Sequence, residues 1–304
     1  MKLVTYRSGK SVSIGVIVRD SILDLNTAFK VHLGGAFKGK KLEPIDMLGF
    51  LDLGSKGLAE ARKAVGASEN SDNLTPLRKV ELMAPIPHPR KNIVFLGLNY
   101  AEHVKEGSKP GQVRDLPSAP IYFTKPWTAV TGPYDDIVYP KVTERLDYEA
   151  ELAFVMGKDG KNIPEENVYD YIVGFMCFND VSARDLQKNH QQWYRGKSLD
   201  TFAPMGPYIV TIDEIGDPHN LDLWCKVNDV ERQHTNTIDM IFNIKKIVNN
   251  LSSGITLSVG DIFATGTPSG IGSHHPLGLL KVGDIVEVGI EKIGYIKNRV
   301  VAEK

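Results

Sequence analysis

The stretch that most constrains the fold is residues 146–185. It reads L-D-Y-E-A-E-L-A-F-V-M-G, then a turn-rich insert, then Y-I-V-G-F-M-C-F-N-D-V-S-A-R-D. Glu149 and Glu151 sit two apart in a run that continues through Leu152, Ala153, Phe154, Val155 and Met156 and stops at Gly157. Such a run reads as a strand. Side chains at i and i+2 of a strand share a face, so both carboxylates point the same way. A second apolar run, 171–178, ends in Asn179-Asp180. Pairing the runs around the turn residues 158–167 brings Asp180 towards the glutamates. Three unpaired carboxylates in one pocket repel, so a cation is expected among them. Oxygen-only ligands suit a hard divalent ion, Mg2+, Mn2+ or Ca2+, rather than Zn2+. A solvated strand face with ordinary salt bridges has the same pattern, and this stretch alone leaves both readings open.

At 304 residues the chain holds one large domain, or a large one with a small companion. Hydrophobic residues make up 42% and charged residues 24%, ordinary values for a soluble globular protein. A net charge of -1 gives no reason to expect nucleic acid or an anionic membrane as partner. The longest apolar run, 171–178, is far short of the ~20 residues that cross a bilayer. The opening M-K-L-V-T-Y-R-S-G-K has no signal-peptide core, so a cytoplasmic location is expected. Cys177 and Cys225 lie in apolar runs without zinc-type spacing and are expected as buried, reduced thiols. Without secretion, the sequons at Asn73 and Asn250 carry no meaning.

Residues 1–83 are expected as a small N-terminal α+β unit. Its parts are a hairpin, 12–18 with 22–25 around Arg19-Asp20-Ser21, and two short helices at 45–51 and 57–65. The A-P-I-P-H-P-R connector at 84–90 is stiffened by proline and marks the expected boundary, with 84–304 as the main domain. Next, 92–98 reads as a strand and 99–106 as a short helix, with Asn99 as N-cap and Glu102 completing a capping box. His103 and Glu106, at i and i+3, are neighbours on one face of it. Residues 107–118, with two Gly and two Pro, read as a loop of the kind that acts as a lid. An exposed helix before a surface loop is the plainer reading. The position of the pair at a strand's C-terminal end argues for function.

Further on, 121–126 reads as a strand and turn, with Lys125 either reaching a carboxylate or facing water. Residues 187–207 have no clear periodicity, and Lys197 falls in a loop-like run where it is either solvated or poised for an anionic substrate. Residues 208–212 and 221–227 read as strands, with V-N-D-V at 227–230 a hairpin turn. Residues 238–251 have helical spacing. V-G-D recurs at 259–261 and 282–284, each time launching a strand. Between them, T-G-T-P-S-G-I-G at 265–272 offers N–H and hydroxyl donors to a carboxylate, and it lacks the Gly-Lys-Ser/Thr of a phosphate loop. His274 and His275 are expected to face solvent. Strands predominate without a βαβ rhythm, so the class is α+β and β-dominated rather than doubly wound.

Five motifs, in this order, resemble the fumarylacetoacetate hydrolase superfamily: G-L-N-Y-A-E-H-V-K-E, D-Y-E-A-E-L-A, F-N-D-V-S-A-R-D-L-Q, G-K-S-L-D-T-F-A-P-M-G-P and T-G-T-P-S-G-I-G. The likeness spans roughly residues 85–304 and is looser before them. It implies a mixed β-sandwich roll, usually homodimeric, with Mg2+ or Mn2+ (Ca2+ also suits) held by Glu149, Glu151 and Asp180. It implies His103 and Glu106 as a catalytic dyad on a helix that orders with substrate. Arg184, Gln187 and Lys197 fall on the family's substrate-contact positions, and Thr267 on its carboxylate-binding one. Leu98 occupies a variable family position.

The reaction implied is hydrolysis of the C–C bond of an acylpyruvate. The substrate would chelate the ion through its 2-oxo acid end, and pyruvate enolate would leave. His103, oriented by Glu106, would activate the water, and Lys197 would add positive charge. Alternatives on the same site are an oxaloacetate decarboxylase, a 2-hydroxyhepta-2,4-diene-1,7-dioate isomerase and a sugar-acid dehydratase. A non-catalytic metal-binding protein is the alternative of another class.

Overall fold

The computed structural model describes residues 1–32, 44–68, 74–107 and 115–304. The Glu-x-Glu run forms the strand Ala150–Met156, buried along its whole length. It pairs antiparallel with Ile172–Asn179, also buried throughout, in the register Ala150 to Asn179 and Glu151 to Phe178. Strands covered on both faces read as continuous apolar runs, which is the pattern of both.

This hairpin is the middle of a 12-stranded sheet. On one side Ile172–Asn179 pairs with Ala203–Thr211, which pairs with Lys2–Ser8. The first hairpin, Ser11–Val18 with Ser21–Asp24, extends that edge. On the other side Ala150–Met156 pairs with Ile262–Ala264, which runs parallel to Ile93–Gly97, and Ile121–Lys125 follows. A five-stranded sheet holds, in order, Val230–Asn236, Asp222–Val227, Ile285–Ile290, Gly294–Ala302 and Ile137–Tyr139. One apolar cluster joins the two sheets, including Leu152, Phe154 and Phe175 from the first and Leu223, Val288 and Ile296 from the second. The architecture is α+β and strand-rich, as the sequence implies. The expected boundary at 83/84 lies in the connector, yet the large sheet runs across it, so the leading strands share main-chain hydrogen bonds with the rest.

Turn chemistry follows the residues. Asn228 and Asp229 both take positive φ, +51° and +63°, the backbone that a tight two-residue hairpin requires. Helices Met47–Asp52 and Gly54–Ser68 match the two expected in the leading region, while helix Leu25–His32 was not foreseen. The helical stripe from 238 is corrected: the helix is Ile244–Ser252, capped by Asn243, whose side chain accepts the Lys246 N–H. Before it, Thr237–Asp239 is a short 3-10 turn with Ile238 exposed, and Met240 bridges Tyr100. Local spacing did not register that this segment is spent on tertiary pairing. Cys177 and Cys225 are buried and unpaired. No helix among the described residues is long and apolar enough to cross a membrane.

Candidate active site

The central hairpin delivers the three carboxylates to one end of the sheet. Glu149 immediately precedes Ala150–Met156, Glu151 is its second residue, and Asp180 directly follows Ile172–Asn179. The ends are tied together: the Asp180 N–H donates to the Glu149 carbonyl at 2.8 Å, and the Glu149 N–H to Asn179 Oδ1 at 3.0 Å. One oxygen of each of Glu149, Glu151 and Asp180 lies within 4.8 Å of the others, and all three side chains are buried.

Three cations surround them. Lys197 Nζ lies 2.8 Å from Glu149 Oε2 and 2.6 Å from Asp180 Oδ2. Lys125 Nζ is 2.5 Å from Asp180 Oδ1 and also donates to the carbonyls of Val181 and Phe202. Arg184 Nη1 is 2.7 Å from Glu149 Oε1, while its Nε donates to Asp147 Oδ2 at 2.8 Å. Four carboxylates (Asp147, Glu149, Glu151 and Asp180) thus face three cations (Lys125, Arg184 and Lys197).

The pairing is uneven. Burial alone would raise the Glu149 carboxyl, but the Lys197 and Arg184 charges hold it well below its ordinary range. Glu151 is pushed well above its range by burial and by the Asp180 and Glu149 charges. Asp180 is also raised, burial outweighing Lys125 and Lys197. Burial brings Lys125 down to about 8, despite Asp180. Lys197 is raised, because Asp180 and Glu149 overcome its own desolvation. Glu151 accepts one hydrogen bond, from the Gly266 N–H at 2.8 Å, and has no ion-pair partner among the described residues. An unpaired buried carboxylate beside two others is the arrangement that a divalent cation compensates, and an all-oxygen donor set suits Mg2+, Mn2+ or Ca2+. The residues therefore fit the metal that the sequence implies.

Lys197 does not lie in a loop. It ends the one-turn helix Tyr194–Lys197, packed on helix Arg184–Asn189. A Cβ at Gly196 would come within 2.5 Å of the Gln187 nitrogen and 2.7 Å of the Ala183 carbonyl. That glycine lets the turn sit close enough for the neighbouring lysine to enter the pocket. Lys125, left open by the sequence, is fully buried against Asp180.

His103 and Glu106 lie on helix Ala101–Glu106, with His103 Nδ1 3.2 Å from Glu106 Oε2 and both side chains largely covered. Glu106 Oε1 accepts the Gly270 N–H at 2.9 Å. The expected cap at Asn99 is corrected. Tyr100 is the N-cap and makes no side-chain bond. The Asn99 amide is buried elsewhere, donating to the carbonyls of Phe242 and Thr265 and accepting the Phe242 N–H. A buried amide with three backbone partners outcompetes a cap open to water. Of the expected lid at 107–118, residues 108–114 lie outside the described residues.

A cavity of about 90 Å³ brings His103, Glu149, Arg184, Gln187, Lys197 and Thr267 together, with Phe123 and Trp193 as apolar walls. A Cβ on Gly97 would stand 2.3 Å from the Trp193 ring, so only glycine admits this wall. Glu151 and Asp180 are not among its lining residues. A wider, mainly apolar recess of about 370 Å³ is lined by other residues, Ile14, Met47 and Ile86 among them.

The 265–272 loop does offer backbone donors to carboxylates, but to the chain's own: Gly266 to Glu151, Gly270 to Glu106 and Gly272 to Asp147. His274 is exposed as expected. His275 is not fully solvent-facing, since its Nδ1 lies 3.0 Å from Arg232 Nη1. The sequence reading missed Asp147, which is fully buried and accepts from Arg184, Gly272 and Ser273. Its signal was available as a third acid in the same short run as Glu149 and Glu151.

Comparison with known proteins bears on this geometry. The family model described as fumarylacetoacetate (FAA) hydrolase C-terminal matches residues 92–301. The chain belongs to the fumarylacetoacetate hydrolase family. Oxaloacetate tautomerase YisK of Bacillus subtilis is 41% identical over 99% of this chain and 100% of its own. Mitochondrial oxaloacetate tautomerase fahd2 of Xenopus laevis is also 41% identical, over 99% of this chain and 90% of its own. Among solved structures, maleylpyruvate hydrolase of Sphingobium sp. SYK-6, in complex with manganese(II) and pyruvate, superposes with a TM-score of 0.77 at 30% identity, covering 100% of both chains. This family member is therefore an enzyme of a group that includes hydrolases and tautomerases of small 2-oxo acids.

Proposed function

We propose that this enzyme interconverts the keto and enol forms of oxaloacetate or a closely related 2-oxo dicarboxylate. The observation that carries the proposal is the 41% identity to two oxaloacetate tautomerases across nearly the full length of each. The site is suited to the reaction. Glu149, Glu151 and Asp180 would hold the divalent ion, whose Lewis acidity favours negative charge on the 2-oxo oxygen. With Nδ1 engaged by Glu106, the His103 nitrogen free for substrate is Nε2. Nε2 takes the proton from C3, and Glu106 stabilises the imidazolium that forms. The same nitrogen returns the proton to carbon or oxygen, which completes the isomerisation without water. Lys197 and Arg184 supply positive charge beside Glu149, and Thr267 and Gln187 bring polar groups to the carboxylates of the substrate.

The test follows the enol absorbance of oxaloacetate with metal-stripped and Mn2+-reconstituted enzyme. Metal-dependent acceleration of keto–enol exchange without CO2 release supports the proposal, and no acceleration refutes it. Acylpyruvate hydrolysis is the second reading, favoured by the likeness to the Mn2+- and pyruvate-bound maleylpyruvate hydrolase. Measuring acetylpyruvate and oxaloacetate loss in parallel separates hydrolysis, decarboxylation and tautomerisation. The homodimer is part of the proposal and is read by light scattering on the eluted protein.

A further inference from the structure

We infer that Gln233, from the second sheet, is a positioning residue that forces the Thr267 hydroxyl to donate its proton into the substrate cavity. The inference deepens the proposed function and rests on it for the identity of the substrate's carboxylate. Gln233 is buried on strand Val230–Asn236. The pairing register of that strand slips beside it: Cys225 faces Gln233, but Lys226 faces Glu231, so Arg232 is the extra residue of a bulge. Bulges re-aim side chains, and this one turns Gln233 inward between the two sheets.

The hydrogen bonds of Gln233 leave its amide one orientation. Oε1 accepts the Ala150 N–H at 3.0 Å, and a backbone N–H can only donate. Nε2 lies 2.9 Å from the Pro268 carbonyl, which can only accept. The amide is therefore anchored at both ends by groups of fixed polarity. Its remaining N–H points at Thr267 Oγ1, also at 2.9 Å. Thr267 Oγ must accept there, so its own proton goes elsewhere. Thr267 lines the cavity beside Arg184, Gln187 and Lys197, where an anionic oxygen of substrate would take that proton. Ala150, which holds the other end of the amide, stands between Glu149 and Glu151. One side chain thus ties the ligand-bearing strand to the polarity of the loop hydroxyl.

The chain around Gln233 is packed to hold this geometry. A Cβ at Gly270, whose φ is +96°, would stand 2.1 Å from the Arg232 carbonyl and 3.3 Å from Gln233 Cγ. The loop therefore sits directly against the bulge, at a distance only glycine allows.

The test is calorimetric binding of oxalate to the full-length enzyme loaded with Mn2+, for wild type, Gln233→Met, Thr267→Val, Thr267→Ser and the Gln233→Met/Thr267→Val double variant. Mn2+ affinity is measured separately on each. Loss of a hydrogen bond to a charged group weakens binding between about 10-fold and about 100-fold. That loss is expected for Gln233→Met and for Thr267→Val, with the double variant no worse than Thr267→Val, Thr267→Ser near wild type, and Mn2+ affinity unchanged throughout. Wild-type oxalate affinity in Gln233→Met, or losses that multiply in the double variant, overturns the inference alone. Failure of wild type to bind oxalate overturns it together with the proposed function. If Gln233→Met does not fold, Gln233→Glu completes the same cycle, because it keeps an acceptor for Ala150 and lacks both N–H donors.

Discussion

The two halves of the site are built on opposite physical terms. The carboxylate trio grows out of two strands buried on both faces; buried cations pair with Glu149 and Asp180, and Glu151 has a backbone N–H. The His103–Glu106 pair sits on a single six-residue helix, and among the described residues its side-chain hydrogen-bond partners are each other and one backbone N–H. The first half is coupled to the stability of the sheet, and the second can be altered with little cost to the fold. On the proposed reaction, rigidity lies in the sheet and the proton transfer on the helix.

The strongest way to break that contrast is Asp180→Ala. It strands the Lys125 ammonium in the core and leaves Lys197 with Glu149 alone, and removing one partner of a buried ion pair costs about 3–5 kcal/mol. Urea unfolding should show that loss, and a variant as stable as wild type would mean the cluster is not structural. His103→Ala is the counterpart. Turnover should fall about 10²-fold to 10⁴-fold, while stability changes by less than about 1 kcal/mol and Mn2+ still binds. Equal losses of stability in the two variants would erase the distinction.

Metal removal sharpens the comparison further. Mn2+ at 100 times its dissociation constant should stabilise wild type by about 2.7 kcal/mol over the EDTA-treated protein. Glu106→Gln should retain that shift in a thermal melt, and an equal loss of it in Glu106→Gln and in a trio variant would join the two halves. The smallest effect lies outside the site. Asp24 is a half-buried carboxylate whose burial would raise it, but donors on Ser13, Tyr6 and Thr27 hold it below its ordinary range. A lowered folded value stabilises above the unfolded one and is lost as pH falls. The stability advantage of wild type over Asp24→Asn, about 1 kcal/mol, should therefore be present in full near pH ~6 and should shrink as pH falls below ~4. An advantage that grows on acidification would contradict this account of a carboxylate held by neutral donors.

What the sequence discloses follows the same division. The trio was legible because strand periodicity fixes which side chains share a face, and because apolar runs ending in acids are uncommon company for charge. The His103–Glu106 contact was legible from helical spacing alone. Local spacing left Lys125 and Lys197 open, since a lysine before proline or in a Gly-containing run looks solvated until packing is known, and only the resemblance put Lys197 at the site. Asn99 was misread for the converse reason: its local pattern is a good cap, and only the approach of residues 242 and 265 explains why it is not one. Gln233 left no local trace because its role arises from a bulge that brings two sheets together. The resemblance to the family supplied the fold, and the choice between hydrolase and tautomerase came from relatives rather than from any residue in the cavity.

The central claim is that Glu149, Glu151 and Asp180 grip one divalent cation. Titration of Mn2+ into wild type and Glu151→Gln, read by the loss of the free-ion electron paramagnetic resonance signal, tests it most directly, because the amide matches the carboxyl in shape and adds no buried charge. The account predicts saturable uptake by wild type that disappears in Glu151→Gln while the variant stays folded. Identical uptake by both proteins, or none by wild type, would contradict it.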